Sequence, residues 1–345
     1  MPADGHARRG RDGVSAVIGD AAVIDVHAHV RLQATNGAAG RYGPEFGTDQ
    51  DGKPWYRVGN YKLLGVKHTG SPFTDPELRL QKMDEAHIDF QVLSPSPLTY
   101  FHHIELADAL AFCRRHNEAM AELVRAYPHR LGGLAALPMQ DAGAAREELI
   151  RAVRELGLWG AAIGTEFEQP LHGPELDPFY ATLVELDVPL FIHPAPAGID
   201  GPPGDPNLKR FDLDIIVGFG AQEAIAVSTL IFGGVLDRHP KLDVWISHGG
   251  GSIPVMVGRL AQAAMKRPWA SAAHKKDGAF EALLSRLWFD THMSDQRALD
   301  LLRQVVGTER LVFGTNFAGW DQSGGGPHGP VDPRYAANAR RLLRK

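Results

Sequence analysis

The chain has 345 residues, 44% of them hydrophobic and 22% charged, which is a globular composition long enough for one large α/β barrel or two ordinary domains. Its 41 acidic against 36 basic residues, a net charge of −5, argue against nonspecific nucleic-acid binding. One cysteine, Cys113, excludes an internal disulfide and a cysteine-based zinc cluster. No uninterrupted apolar run of about 18 residues marks a membrane span, so a cytoplasmic protein is expected, with neither nucleic acid nor membrane as partner.

Residues 1–20, rich in Gly, Ala, Arg and Asp, read as a loose leader, leaving 21–345 as one domain. Residues 23–29, VIDVHAH, read as the first strand, an apolar run too short for a helix that ends in His27 and His29. Alternate side chains of a strand share a face, so these two imidazoles can point at one centre. Residues 31–75 are Gly-rich and aromatic with no sustained period, and are expected to be an irregular lid or subunit-contact insertion. Regular alternation then begins. Strands are predicted at 89–93, 130–136, 159–163, 188–192, 242–247, 287–290 and 310–313. Between and after them lie helices at 76–87, 105–126, 141–156, 175–186, 221–236, 252–268, 278–286, 295–305 and 333–343. Eight strands alternating with helices, and no linker, predict a distorted (β/α)8 TIM barrel with a long insertion after strand 1.

Histidines recur at the carboxyl ends of strands one, five and six: His27, His29, His193 and His248. That is the end at which such a barrel builds its site, and neutral imidazoles suit zinc and related divalent ions. His292 follows strand seven and is a further candidate to approach a substrate. Asp290, just before it, can orient a ligating imidazole. Strand eight ends at Asn316, which can offer a carbonyl oxygen but not a carboxylate. Arg259, eleven residues after His248, can clamp a carboxylate. Trp55, Tyr56 and Trp320 are candidates to line an aromatic pocket. Gly249 to Gly251 let a loop pass close to a ligand but lack the lysine and spacing of a phosphate loop.

The HxH strand, FIHP, ISHGGG, FDT and LVFGTN together resemble the amidohydrolase superfamily. More narrowly they resemble its amidohydrolase-2 branch, which holds aminocarboxymuconate-semialdehyde decarboxylase and the resorcylate and carboxyvanillate decarboxylases. The resemblance implies one divalent metal, zinc with manganese as the alternative, on His27, His29 and His193. It implies catalytic roles for His248 and Arg259, and a homodimer acting on a small aromatic or unsaturated carboxylic acid. It also places Asn316 where the branch has a metal-binding aspartate. This departure leaves open a shifted chemistry, a weaker metal, a replacement carboxylate such as Glu223 or Asp321, or lost activity. The expected reaction is non-oxidative decarboxylation of an aromatic or muconate-like acid. The alternatives are a metal-dependent hydrolase of an aromatic-degradation intermediate and an inactive barrel with a structural or regulatory role.

Overall fold

In the computed structural model, which describes residues 16–65, 70–199, 204–317, 319, 321–322 and 330–345, the apolar runs become parallel strands. Strand β1 is Ile24–Val30, and a small sheet follows it: β2 Glu45–Thr48, β3 Pro54–Val58 and β4 Tyr61–Leu64. The barrel continues with β5 Phe90–Pro95, β6 Leu131–Gly133 and β7 Ala135–Ala136. Then come β8 Ala161–Ile163, β9 Leu190–Ile192, β10 Val244–Ile246, β11 Trp288–Asp290 and β12 Leu311–Val312. The hydrogen-bonded orders are β1-β5-β6 and β12-β11-β10-β9-β8-β7.

These two sheets are arcs of one barrel. β6 and β7 are halves of a single strand that changes partner, with Leu134 N donating to Leu93 O at 2.8 Å and Ala135 N to Gly160 O at 2.9 Å. The other seam closes where Val26 N donates to Phe313 O at 2.9 Å and Phe317 N to His27 O at 3.2 Å. Eight parallel strands thus form a distorted (β/α)8 barrel. Gly314 permits the second seam, because a Cβ there would sit 2.7 Å from His27 Cβ and 3.0 Å from Asp290 Cβ.

Aspartates open several surrounding helices by the expected means. Asp75, Asp141, Asp295 and Asp332 each accept a bond from a backbone N–H of the first turn. Inside, Phe191 stacks on Trp245 at 4.0 Å between centroids, and the buried Trp288 donates Nε1 to Asp243 at 2.7 Å.

Two expectations change. The insertion is not irregular: β2, β3 and β4 form an antiparallel meander. Val58 pairs with Tyr61 across the two-residue turn Gly59-Asn60, with Gly59 at φ +55°. Its strands are short and interrupted by glycine and proline, which hid the period-2 pattern. The barrel's packing also begins before residue 21, since Ala16 and Ile18 are buried and Val17 N donates to Pro128 O at 2.8 Å. Leu213–Phe232 is long and apolar enough by length and composition alone to cross a membrane, although Asp214, Gln222 and Glu223 interrupt its apolar run. Its helix Gly218–Phe232 buries Gln222, Glu223, Val227, Leu230 and Ile231.

Candidate metal centre

Along β1 the even-numbered residues Ile24, Val26, Ala28 and Val30 are apolar, whereas Asp25, His27, His29 and the following Arg31 are polar. Every member of the polar row is buried, although a register irregularity between Asp25 and Ala28 interrupts the strand's period within it. Asp25 anchors the row. Its Oδ1 accepts from His27 N and Thr315 N, both at 3.1 Å, and its Oδ2 from Gln91 Nε2 at 2.9 Å and Thr315 Oγ1 at 2.7 Å. Arg79 completes the floor, donating to Gln91 Oε1 at 2.9 Å and to His29 O at 2.5 Å. One carboxylate thus ties β1 to β5 and to the end of β12.

Above that floor the imidazoles of His27, His29 and His193 converge, with ring centroids 4.7–5.0 Å apart. Each Nδ1 already has an acceptor. His27 Nδ1 lies 2.8 Å from Asp290 Oδ2, and His193 Nδ1 lies 2.7 Å from Pro194 O. His29 Nδ1 lies 3.1 Å from Pro95 O and 2.8 Å from Ser94 Oγ. With the proton on Nδ1, each Nε2 turns a lone pair inward. The Nε2 atoms of His27 and His29 then face each other at 3.2 Å, and the buried His193 Nε2 has no partner among the described residues. Facing lone pairs repel unless a cation lies between them, and the ligand atoms of all three residues are within 4.8 Å of one another. Burial, reinforced by the neighbouring His248, holds His29 down at about 3, and burial holds His27 and His193 well below the usual imidazole value. Three neutral imidazoles fit a divalent metal.

His248 differs. Burial opposes its cation, but Glu223 Oε1, 2.6 Å from Nδ1, outweighs that and lifts it to about 9. Ser247 Oγ donates to the same Glu223 oxygen. The His248 ring stands 5.0 Å from that of His27 and 4.9 Å from that of His193. Its backbone has φ +45°, a conformation that a side chain other than glycine or asparagine adopts at a cost. His292 joins the group, 5.7 Å from the His27 ring and 5.5 Å from the His248 ring. Its N–H donates to Asp290 Oδ1 at 3.1 Å, so Asp290 serves two histidines. His292 Nε2 meets Asp321 Oδ2 at 3.0 Å.

Asn316, at φ +49°, donates Nδ2 to Asp321 Oδ1 at 2.6 Å, while its buried Oδ1 has no partner among the described residues. Burial opposes the Asp321 anion, but bonds from His292 and Asn316 and the charge of His248 bring it to about 2.

Several candidates lie elsewhere. Arg259 is exposed on the helix Ile253–Lys266 and makes no hydrogen bond or ion pair among the described residues. Tyr56 is buried beneath Arg31, whose Cζ lies 3.3 Å from the ring centroid, in a satellite core with Phe101 and Phe112. Trp55 faces the other side of β3, with Lys62 Nζ 4.7 Å from its ring centre. Trp55 thus packs within the meander and Tyr56 against the satellite core under Arg31, on opposite faces of β3, since successive strand residues cannot share a face. Trp320 lies outside the described residues. Sequence reasoning missed Asp25, Ser94 and Arg31. The alternation from 25 to 31 carried a signal for the first and last, but Ser94 is placed only by strand pairing.

A cavity of about 480 Å3 opens beside the loop after β9, lined by Ala195, Pro196, Thr165, Gln222, Phe101 and His102 among others.

A closed (β/α)8 barrel with three neutral imidazoles converging at its strand ends belongs to the metal-binding barrel class. More narrowly, the chain is a member of the amidohydrolase family Amidohydro_2, matched over residues 24–343. It is 32% identical over 244 residues to the 2-amino-3-carboxymuconate-6-semialdehyde decarboxylase of Dictyostelium discoideum, covering 70% of this chain and 66% of that protein. It is 32% identical over 260 residues to the gamma-resorcylate decarboxylase of Rhodococcus jostii, covering 70% of this chain and 76% of that one. Its fold matches the crystal structure of a dihydroxybenzoic acid decarboxylase from Polaromonas sp. JS666 with bound manganese and 2-nitroresorcinol. There the TM-score is 0.69 at 23% identity, covering 93% of this chain and 96% of that one.

Proposed function

We propose that this chain is a metal-dependent, non-oxidative decarboxylase of a small aromatic or muconate-like carboxylic acid. The observation that carries the reading is the contrast within one cluster: three imidazoles kept neutral, and His248 kept protonated by Glu223. The similarity to named decarboxylases at 32% identity supports it.

His27, His29 and His193 would hold the ion. Three imidazoles suit zinc, and manganese is the ion in the decarboxylase of similar fold; when bound, the ion would supply positive charge that holds the substrate carboxylate and steadies negative charge as carbon dioxide departs. The protein's own residues do the rest. When the bond to the carboxyl carbon breaks, its electron pair stays on the ring or chain carbon, and that carbon must take a proton. His248 donates it from Nε2, since Nδ1 is engaged by Glu223. Asn316 does not serve as acid or base because a carboxamide does not titrate. The cavity next to Ala195 and Gln222 has the volume for a single-ring acid.

A homodimer belongs to the same reading. Ile216, Val217, Ile225, Val255 and Trp269 are all exposed, an apolar set that a second copy would cover. Arg259 lies one helical turn from Val255, so its guanidinium is directed to whatever covers that face.

The test is product analysis on metal-loaded protein offered hydroxybenzoates and muconate-like acids. Release of carbon dioxide with incorporation of one solvent deuteron at the vacated carbon is expected. Oxygen-18 entering the product from labelled water would instead identify the hydrolase. Metal-loaded protein turning over none of these acids, with His27→Ala neither less stable nor depleted of metal, would identify the inactive barrel.

A further inference from the structure

We infer that Asp321 supplies the counter-charge of the metal centre and acts through the Asn316 carboxamide, a deepening that rests on the metal-dependent reading above. Three neutral imidazoles bring no negative charge to a divalent ion, and a carboxylate nearby would offset part of its charge. Four buried or half-buried carboxylates stand around the histidines, and three of them hold groups other than Asn316. Asp25 is held by four hydrogen bonds in the floor. Asp290 receives His27 Nδ1 and His292 N. Glu223 receives His248 and Ser247. Asp321 is the fourth, its carboxylate within 4.8 Å of ligand atoms of both His248 and His292.

Asn316 links Asp321 to the centre. A carboxylate can only accept, so the 2.6 Å contact with Asp321 Oδ1 must be made by the Asn316 amide nitrogen. That fixes the other end: Oδ1 faces away from Asp321, and it is buried without a partner among the described residues. The whole residue is 8% exposed. A buried carbonyl oxygen left without a partner is costly, because it has given up water and gained nothing in exchange. That cost is removed if Oδ1 receives a cation. A cation on Oδ1 draws electron density from the amide and makes Nδ2–H a stronger donor to Asp321, so each contact strengthens the other. The carboxamide contributes the contact and Asp321, one hydrogen bond further out, contributes the charge. His292 Nε2 on the second carboxylate oxygen fixes its rotation.

The test is a Mn2+ titration of metal-stripped, full-length protein, following loss of the free-ion EPR signal. Wild type is expected to bind one ion, and His27→Ala to lose it. Asp321→Asn should weaken binding by about tenfold or more, the range for removing a partner of a metal ligand. Asp321→Glu should keep most of it, since the charge is retained. The decisive variant is the charge swap Asn316→Asp/Asp321→Asn, which moves the carboxylate one side chain inward and should bind at least as well as wild type. If Asp321→Asn binds like wild type, or if the swap binds no better than Asp321→Asn, the inference is overturned while the metal reading stands. If wild type binds no ion, or His27→Ala binds equally, the metal reading itself falls and this inference with it.

Discussion

Glu223 Oε1 lies 2.6 Å from His248 Nδ1, and this contact gives one histidine of the cluster a charge that its neighbours lack. The two residues come from different parts of the barrel, a helix and the end of β10, and the contact between them is buried on the Glu223 side. Replacing the carboxylate by an amide of the same shape removes the charge but little volume. Glu223→Gln is therefore expected to lower turnover by about 10²-fold or more, the usual scale for a lost proton donor. The shift has a definite sign. His248 titrates at about 9 with Glu223 present, so its protonated form persists through neutral pH. Without that partner, burial is left to lower it, and the alkaline limb of the pH–rate profile should move to lower pH. An unmoved limb would remove His248 as the proton source.

Asp290 holds His27 Nδ1 and His292 N at once. Asp290→Asn keeps a side chain of the same size but weakens the acceptor that fixes the His27 tautomer. Metal affinity is expected to drop by about 10–100-fold. Dialysis against a graded chelator series, with metal content measured, reads this directly.

The metal-free protein should lose stability on acidification. His29 and His102 titrate near 3 and His116 near 4, in each case because burial disfavours the cation. Below about pH 6.5 the unfolded chain takes up protons at these residues while the folded chain does not, so stability falls from there down toward 3–4. Three buried carboxyls work in the opposite direction: burial pushes Asp25 up to about 6 and raises Glu223 and Asp290, so the folded chain takes up protons there before the unfolded chain does. With His27 and His193, also held low by burial, five imidazoles outweigh the three carboxyls, because each tenfold change in a group's proton affinity on folding is worth about 1.4 kcal/mol. Urea unfolding at pH 7 and pH 5 should show a lower midpoint at pH 5. Equal midpoints would contradict the buried-neutral description.

The exposed apolar face offers a fourth test. Val255 is 73% exposed and Ile225 64%, so neither can owe its position to the chain's own core. Val255→Glu combined with Ile225→Glu should leave the thermal midpoint of a dilute sample nearly unchanged, since exposed substitutions usually cost under about 0.5 kcal/mol. Sedimentation should show a dimer for wild type and a monomer for the double variant.

Much of the barrel was legible in the chain because its local signals agreed. Short apolar runs alternated with aspartate-opened helices, and the observed strands fall inside or within two residues of the predicted spans. The meander at 45–64 was not legible, because strands of four or five residues broken by glycine carry too little periodic signal. The same division runs through the site. His27, His29, His193 and His248 could be found from sequence, because strand ends of a barrel share one face and histidine is an uncommon residue to repeat there. Trp55 and Tyr56 could not be assigned from sequence, since aromatic identity does not say which side of a strand faces a pocket.

By itself the sequence determined the His27–His29 pair on one strand face and the return of histidine at later strand ends, because strand periodicity is local and needs no partner. Only the tertiary structure decided which carboxylate each of those histidines meets. Asp290, Glu223 and Asp321 reach His27, His248 and His292 across separations of 263, 25 and 29 residues. Such pairings depend on barrel closure and strand register, and register is set by packing of the whole core rather than by any stretch of chain.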